Sequence, residues 1–401
     1  MSMTLESLPE HLQRPHLRPI QPIPVDKDGK QYMALHDPQR LQPNTMVIPA
    51  QAVLVLQEFQ GEKTLDQITS KIGGNFEQVL NLAKGLDQLG LLWGPTFEQM
   101  EIDTLRRIRE DGVFQAHASQ PIGKDEAEAR RNLESYFQQT EDPELESIPR
   151  AIVAPHLDYQ RGWPNYAAAY YSYQQQPAPD RVVILGTNHF GIGDGVVLSD
   201  CGFASPLGRC PVDQQVAEKI IDALGEAVII DQLDFQAEHS IELHIPWLQY
   251  CFGDIPVVAA LMPDPLQPMI ENNDKRVTTD RFLDVLSDTL QASGGHTIYV
   301  ASSDLSHVGP QFGEPRPVDD QRKFDVERHD REMMSKFISG DKEEFLEAMR
   351  WNCNPTRWCS IGNMSALLQL VQPQSVELLD YRQACDEQGL AMVSSAAIAL
   401  L

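Results

Sequence analysis

From Pro149 onward the chain alternates apolar runs of four to seven residues with longer stretches whose apolar positions recur at helical spacing. A short run of this kind is a strand buried on both faces, and a helical period between two of them is an amphipathic crossover. The alternation therefore predicts a doubly wound α/β domain, a mixed sheet flanked by helices. Strands are predicted at 151–154, 182–185, 196–199, 257–262, 297–301, 376–381 and 392–399. Helices are predicted at 164–173, 212–224, 240–250, 279–291, 321–338, 342–349 and 361–370.

Ahead of this domain the pattern is different. Residues 1–45 are polar and Pro-rich with no sustained period, which predicts a loose lead-in with at most a short hairpin. Three short helices follow, at 52–59, 64–72 and 75–89, stopped by Gly61, Gly73 and Gly90. On the third, Phe76, Val79, Leu80, Ala83 and Leu86 share a face, and Leu91-Leu92-Trp93 after it fits a small strand or wing. Residues 46–100 thus resemble a small, mainly helical winged-helix module. Its second and third helices offer only Lys71 and Lys84, too little charge to hold a duplex, so the module is read as one for protein docking or support. Residues 101–148, with helical stretches at 101–109 and 125–138, are read as a helical connector to the α/β domain at 149–401.

Composition narrows the function. With 401 residues, 42% hydrophobic and 22% charged, the chain is an ordinary globular one. Its 32 basic against 58 acidic side chains give a net charge of −26, which repels phosphate backbones and anionic lipid, so neither nucleic acid nor membrane is an expected partner. No apolar run approaches the roughly 18 residues of a membrane span. The first residues lack the basic start and apolar stretch of a secretory signal, so a cytoplasmic location is expected. The six cysteines show no CxxC spacing, which argues against a zinc ribbon or a thioredoxin-type motif.

Three apolar runs lead directly into a histidine: Ala154-Pro155-His156, Gly186-Thr187-Asn188-His189, and Ser302-Ser303-Asp304-Leu305-Ser306-His307. In an open α/β sheet the ligand crevice lies beyond the carboxyl ends of the strands, so imidazoles placed there converge, and convergent imidazoles suggest a metal. Small residues before them, Gly186, Ser302 and Ser303, allow close backbone approach, and Asp304 is placed to orient His307. In Glu238-His239-Ser240-Ile241-Glu242 the two carboxylates stand one turn apart if the segment is helical. His239 and Glu242 then face the crevice as candidates for proton transfer or substrate contact, while His244 points elsewhere as packing. Among the cysteines, Cys359 follows Arg357-Trp358 and precedes a helical run, where dipole and guanidinium favour a thiolate, itself a metal ligand.

Taken together, these segments resemble the Memo-like family, also called AmmeMemoRadiSam system protein B. Its marks are APH, GxxH, EHSIExHxP, SSDxxH and a late cysteine, which here fall in the family's order across roughly residues 150–400. The resemblance implies a fold similar to that of class III extradiol dioxygenases, which use non-haem iron. It also implies a metal among His156, His189 and Cys359, with His307 beside it, and a radical-SAM enzyme as companion. A thiolate in place of the dioxygenase carboxylate is a softer ligand, which shifts preference toward copper, zinc or redox-active iron and speaks against copying ring cleavage.

The reading that follows is a metal-dependent redox or oxygen-related enzyme, or a metal-handling protein, acting on a small molecule. Iron or copper is its cofactor, with zinc also admitted, held by His156, His189 and Cys359, and His307, Asp304, His239 and Glu242 manage protons. Two alternatives stand beside it: a non-catalytic member that binds a protein or peptide in the same crevice, and a hydrolase with Cys359 as nucleophile and His307 or His156 as base.

Overall fold

In a computed structural model, residues 5–20, 22–189, 191, 195–267 and 276–401 are described. The chain forms two compact units, Met1–Asp111 and Gly112–Leu401.

The first unit holds the short hairpin allowed for in the lead-in but corrects the expectation that the lead-in is loose. Strands Ile23–Lys27, Lys30–Leu35 and Met46–Pro49 form an antiparallel sheet. Leu8, Leu12 and Leu35 are buried in one core with Leu65, Ile68 and Leu86 of the helices. The elements are too short to show a period, and what orders them is this shared core. The helix expected at 52–59 shrinks to Val53–Leu56, while the other two lie where Gly and cap residues place them. Leu65–Ile72 opens on a reciprocal cap between Thr64 and Gln67 and stops at Gly73, whose φ of 65° suits glycine. Phe76–Gln88 is capped by Asn75. The expected wing at Leu91–Trp93 forms no strand; Leu92 makes only an isolated bridge to Leu17, and the unit's sheet comes from residues before the helices. The boundary expected at residue 100 falls inside a continuous helix, Pro95–Asp111.

The second unit is built on a mixed sheet. In chain order its strands are β1 Ala151–Ala154, β2 Arg181–Thr187, β3 Val197–Leu198, β4 Val257–Met262, β5 Thr297–Ser302, β6 Asp304–Val308, β7 Val376–Cys385 and β8 Met392–Leu400. They are ordered β6-β8-β1-β5-β2-β4-β3, with β7 paired to β8. Its centre is parallel, β1 and β2 each pairing with β5, and β4 with β2. Every residue of β1, β2 and β4 is buried, as the uninterrupted apolar runs require of strands covered on both faces. Val183, Leu185, Ala260 and Ala301 share a core with helices Gln214–Leu224, Thr279–Ser293, Asp320–Ile338 and Ile361–Val371. The helix Glu126–Gln138, expected in a connector, packs within this unit, Tyr136 stacking on Trp163 at 5.1 Å and Phe137 meeting Trp247 edge-on at 5.4 Å.

Two departures matter for the site. The run expected to carry His307 off a strand end breaks at Ser303, and His307 sits inside β6, antiparallel to β8. The helix expected from residue 240 starts later: Glu242–His244 is a tight 3-10 turn and the α-helix spans Ile245–Phe252. Among the described residues no helix is long and apolar enough to cross a membrane.

Candidate metal centre

The crevice lies beyond the carboxyl ends of β1, β5 and β2, where a ligand site is expected in a sheet of this kind. His156 follows β1 and is buried. Its Nδ1 faces the Ser302 carbonyl at 3.2 Å and the Ser302 hydroxyl at 3.1 Å. That hydroxyl donates to the Ser240 carbonyl at 2.5 Å, so the ring proton resides on Nδ1 and Nε2 keeps its lone pair. Burial, reinforced by the neighbouring His189 and His239, pushes the His156 pKa well below its usual value and holds the ring neutral, as a metal ligand must be.

His189 follows β2, and its partner is Glu238, a residue sequence reasoning noticed only as a helical neighbour of Glu242. The Glu238 carboxylate accepts from the His189 main-chain N–H at 2.7 Å and faces His189 Nδ1 at 3.0 Å. It also accepts from the main-chain N–H groups of His239 and Ser240 at 2.8 and 2.9 Å, and lies 3.2 Å from His239 Nδ1. Burial opposes its charge, but His189 and His239 outweigh burial and hold the carboxyl well below the usual range. The same pairing, against burial, raises His189. Two imidazoles are thus clamped through Nδ1 by one carboxylate, leaving both Nε2 atoms clear of it. The segment lies across the strand ends because Gly186 has no side chain: a Cβ there would stand 2.7 Å from both Ile241 and Ser240. The Ser240 hydroxyl donates to the Thr187 carbonyl at 2.9 Å, fixing the crossing.

His156, His189 and His239 come together, each offering one nitrogen, and these atoms lie within 4.8 Å of one another. Their rings are 4.8 to 5.4 Å apart between centroids. Two ligands on opposite sides of one ion span roughly 4.2 Å, so the triangle fits a single transition ion after a small inward movement of the rings. Cys359 is not part of that triangle but borders it at His156, its Sγ 3.4 Å from His156 Nε2 and 3.2 Å from the Ser360 hydroxyl. The expected ease of forming a thiolate is not met in the protein alone. Burial, with the Asp304 charge adding to it, pushes the thiol far up, and Arg357 turns its guanidinium toward Glu314 and the His307 carbonyl.

Asp304 serves His156 rather than His307. Its carboxylate accepts from the His156 main-chain N–H at 3.0 Å and stands 3.7 Å from His156 Nε2, and burial raises its pKa. His307 lies outside the histidine triangle, its Nδ1 facing the carbonyls of Leu305 and Arg357 at 3.1 and 3.2 Å and its ring edge-on to Phe312. Burial lowers its pKa, against the pull of Asp304. Glu242 is turned away from the histidines. It accepts from the main-chain N–H groups of His117 and Ser119, both at 2.8 Å, and from the Ser119 hydroxyl at 2.6 Å. The expected turn of helix between Glu238 and Glu242 is absent, so the two carboxylates diverge. His244 packs as expected, buried with Nδ1 2.9 Å from the Tyr170 hydroxyl and its pKa pulled down by burial to about 3.

Behind Cys359 a second set of bonds fixes the wall. The buried Asp330 carboxylate accepts from the Trp358 indole at 2.8 Å, the Tyr381 hydroxyl at 2.8 Å, and the Ser306 and Ser394 hydroxyls at 2.5 Å. Ser306 precedes His307 and Trp358 precedes Cys359, so one carboxylate braces both neighbours of the crevice.

The family model for Memo-like protein matches residues 114–399. The chain belongs to the Memo-like family. Among its relatives, a MEMO1 family protein of Methanopyrus kandleri is 30% identical over 248 residues, 59% of this chain and 77% of the relative. One of Sulfolobus acidocaldarius is 34% identical over 167 residues, 40% of this chain and 54% of that protein. A third, of Thermus thermophilus, is 25% identical over 325 residues, 81% of this chain and 93% of the relative. That last match is longer than the second unit, so similarity to this Memo-like relative reaches into the front unit. Of the Memo-like segments recognised in sequence, the parts carrying His156, His189, His239 and Cys359 meet at the crevice.

Proposed function

We propose that the crevice holds one transition metal through His156, His189 and His239 with Cys359 as a fourth donor, and serves redox or oxygen-related chemistry on a small molecule. The observation that carries this is how the three rings are held: they crowd together and each has Nδ1 engaged, by Ser302 or Glu238, which leaves each Nε2 clear of those partners. Rings held in this way are built to donate lone pairs at one point. Cys359 stands from His156 at the spacing that two ligands of one ion adopt, and three nitrogens with one sulfur suit iron or copper, with zinc also accommodated.

A bound ion of this type supplies a Lewis acid and, for iron or copper, an electron-transfer centre. The rest is done by the chain. Glu238 fixes the two outer imidazoles through Nδ1, Asp304 fixes the loop carrying His156, and His307, neutral and with Nε2 unencumbered by its backbone bonds, accepts a proton at that atom. The burial that raises the Cys359 thiol works against a nucleophilic hydrolase.

Metal analysis of anaerobically purified protein tests the proposal. Near-stoichiometric iron or copper is expected, lost in His156→Ala, His189→Ala and His239→Ala. Cobalt substitution should give a sulfur-to-metal charge-transfer band that disappears in Cys359→Ser. Protein without any stoichiometric transition metal, unchanged by His189→Ala, overturns the reading and leaves a crevice that binds a partner without metal.

A further inference from the structure

Cys359 lines a cleft of about 650 Å³, the size of small-molecule sites. Asp264, Leu266, Arg350, Asn354 and Arg357 are among its walls. In a chain whose net charge is −26, this cleft carries two guanidinium groups against one carboxylate. The Asp264 carboxylate already accepts from the Leu266 N–H at 2.9 Å, closing a local turn. Arg350 ends the helix Lys342–Asn352, is exposed, and makes no ion pair among the described residues. Arg357 keeps 46% of its side chain exposed, and its approaches to Glu314 at 3.7 Å and the His307 carbonyl at 3.4 Å leave most of its donors unspent.

The loop that presents Arg357 is shaped at a cost. Cys353, Asn354 and Arg357 have φ of 54°, 44° and 60°, the left-handed region that side chains other than glycine avoid. It is also held rigidly. The Asn354 side chain accepts from the Trp358 N–H at 2.7 Å and donates to the Trp358 carbonyl at 2.9 Å, while the His307 N–H donates to the Thr356 carbonyl at 2.7 Å. Backbone strain secured by such clamps accompanies sites that must aim a group. The group aimed here is a fork of N–H donors, the residue type that pairs with oxyanions in two parallel bonds.

We propose that this cleft recognises an oxyanion on the substrate, a carboxylate or a phosphate on a small molecule, between Arg350 and Arg357. The apolar body of the substrate lies along Pro265 and Leu266, and its other end lies at Cys359, which borders His156. As a statement about substrate this rests on the metal-centre reading; as a binding site it does not need the ion.

Titration calorimetry with benzoate, phenyl phosphate and the neutral isostere benzamide, on metal-free and metal-loaded full-length protein, tests it. The anionic probes should bind at least tenfold more tightly than benzamide in both forms, the better of the two identifying the oxyanion, with affinity falling as salt rises. Arg350→Gln and Arg357→Gln should each weaken anion binding about tenfold while leaving benzamide unchanged. Arg350→Glu should abolish the preference, and thermal unfolding verifies that the variants fold. Equal affinity for charged and neutral probes overturns the inference. So does anion binding that needs the metal and ignores both arginines, an outcome that places the anion on the ion and leaves the metal reading standing. Anion preference retained in protein that never holds metal supports the cleft and removes the metal centre instead.

Discussion

Two buried carboxylates flank the same histidine triangle and behave in opposite ways. Glu238 accepts hydrogen bonds from main chain and from two imidazoles, and its pKa is held well below the usual carboxylate range despite burial. Asp304, equally enclosed, accepts from one main-chain N–H and faces the ring of His156 only at 3.7 Å, and burial raises it. The contrast shows that burial alone does not set the charge of the crevice; the number of donors aimed at each carboxylate does. On the Glu238 side His189 and His239 keep 27% and 35% of their side chains exposed beside a full negative charge. On the Asp304 side His156 and Cys359 occupy a drier, less charged wall. A crevice divided in this way favours a proton on His189 along one edge and keeps a neutral ring and a protonated thiol along the other.

The largest expected effect comes from neutralising the charged edge. Glu238→Gln keeps the shape but presents an amide N–H₂ where an acceptor was needed. It should cost about 3 kcal/mol of folding stability in urea titrations and weaken metal binding roughly 10- to 100-fold. A loss under about 0.5 kcal/mol would break the comparison. Asp330→Asn supplies the control. That carboxylate touches no imidazole, so about 2 kcal/mol of stability should go while metal affinity drops only severalfold.

Acidity sharpens the comparison further. The lowered Glu238 pKa gives stability that is full above the ordinary glutamate value of 4.5 and is lost as pH falls through its folded value. The raised His189 pKa gives stability that is full below 6.5 and is lost as pH rises through its folded value. In metal-free protein the stability difference between wild type and Glu238→Gln should therefore peak between pH 4.5 and 6.5 and shrink on both sides, as urea unfolding across pH will show. The smallest effect, with the opposite sign, belongs to Asp304→Asn. A raised carboxyl pKa costs stability once pH exceeds it, so this variant should match wild type or gain up to about 1 kcal/mol at pH 7, and lose stability relative to it in acid.

How much of this was legible in the sequence depends on how far apart the deciding residues lie. The parallel strands showed themselves as unbroken apolar runs, and His156 and His189 sit at strand ends where those runs stop. His239 was legible as a crevice residue but not as the third ring. Its neighbours fit a helical spacing, and only the missing side chain of Gly186 and the bonds from Ser240 lay the segment flat across the sheet. Glu242 was misjudged for the same reason, since the donors that claim it lie more than 120 positions earlier, at His117 to Ser119. His307 depended on a break at Ser303 that a continuous apolar run conceals, and which is decided by pairing with β8 near the far end of the chain. Cys359 lies 203 positions from His156, and only the family resemblance joined them in advance. In the first unit, Leu8, Leu12 and Leu35 looked like isolated apolar residues in a polar stretch because a shared core has no signature within one short segment.

The hub at Asp330 has a mechanical consequence. Strands β7 and β8 contribute Tyr381 and Ser394 to it, and the turn before Cys359 contributes Trp358, so the tail of the chain and the thiol hang from one nail. Fraying of that terminal hairpin is felt at the crevice as a change in where the sulfur sits, although no residue of the hairpin need ever touch what binds there.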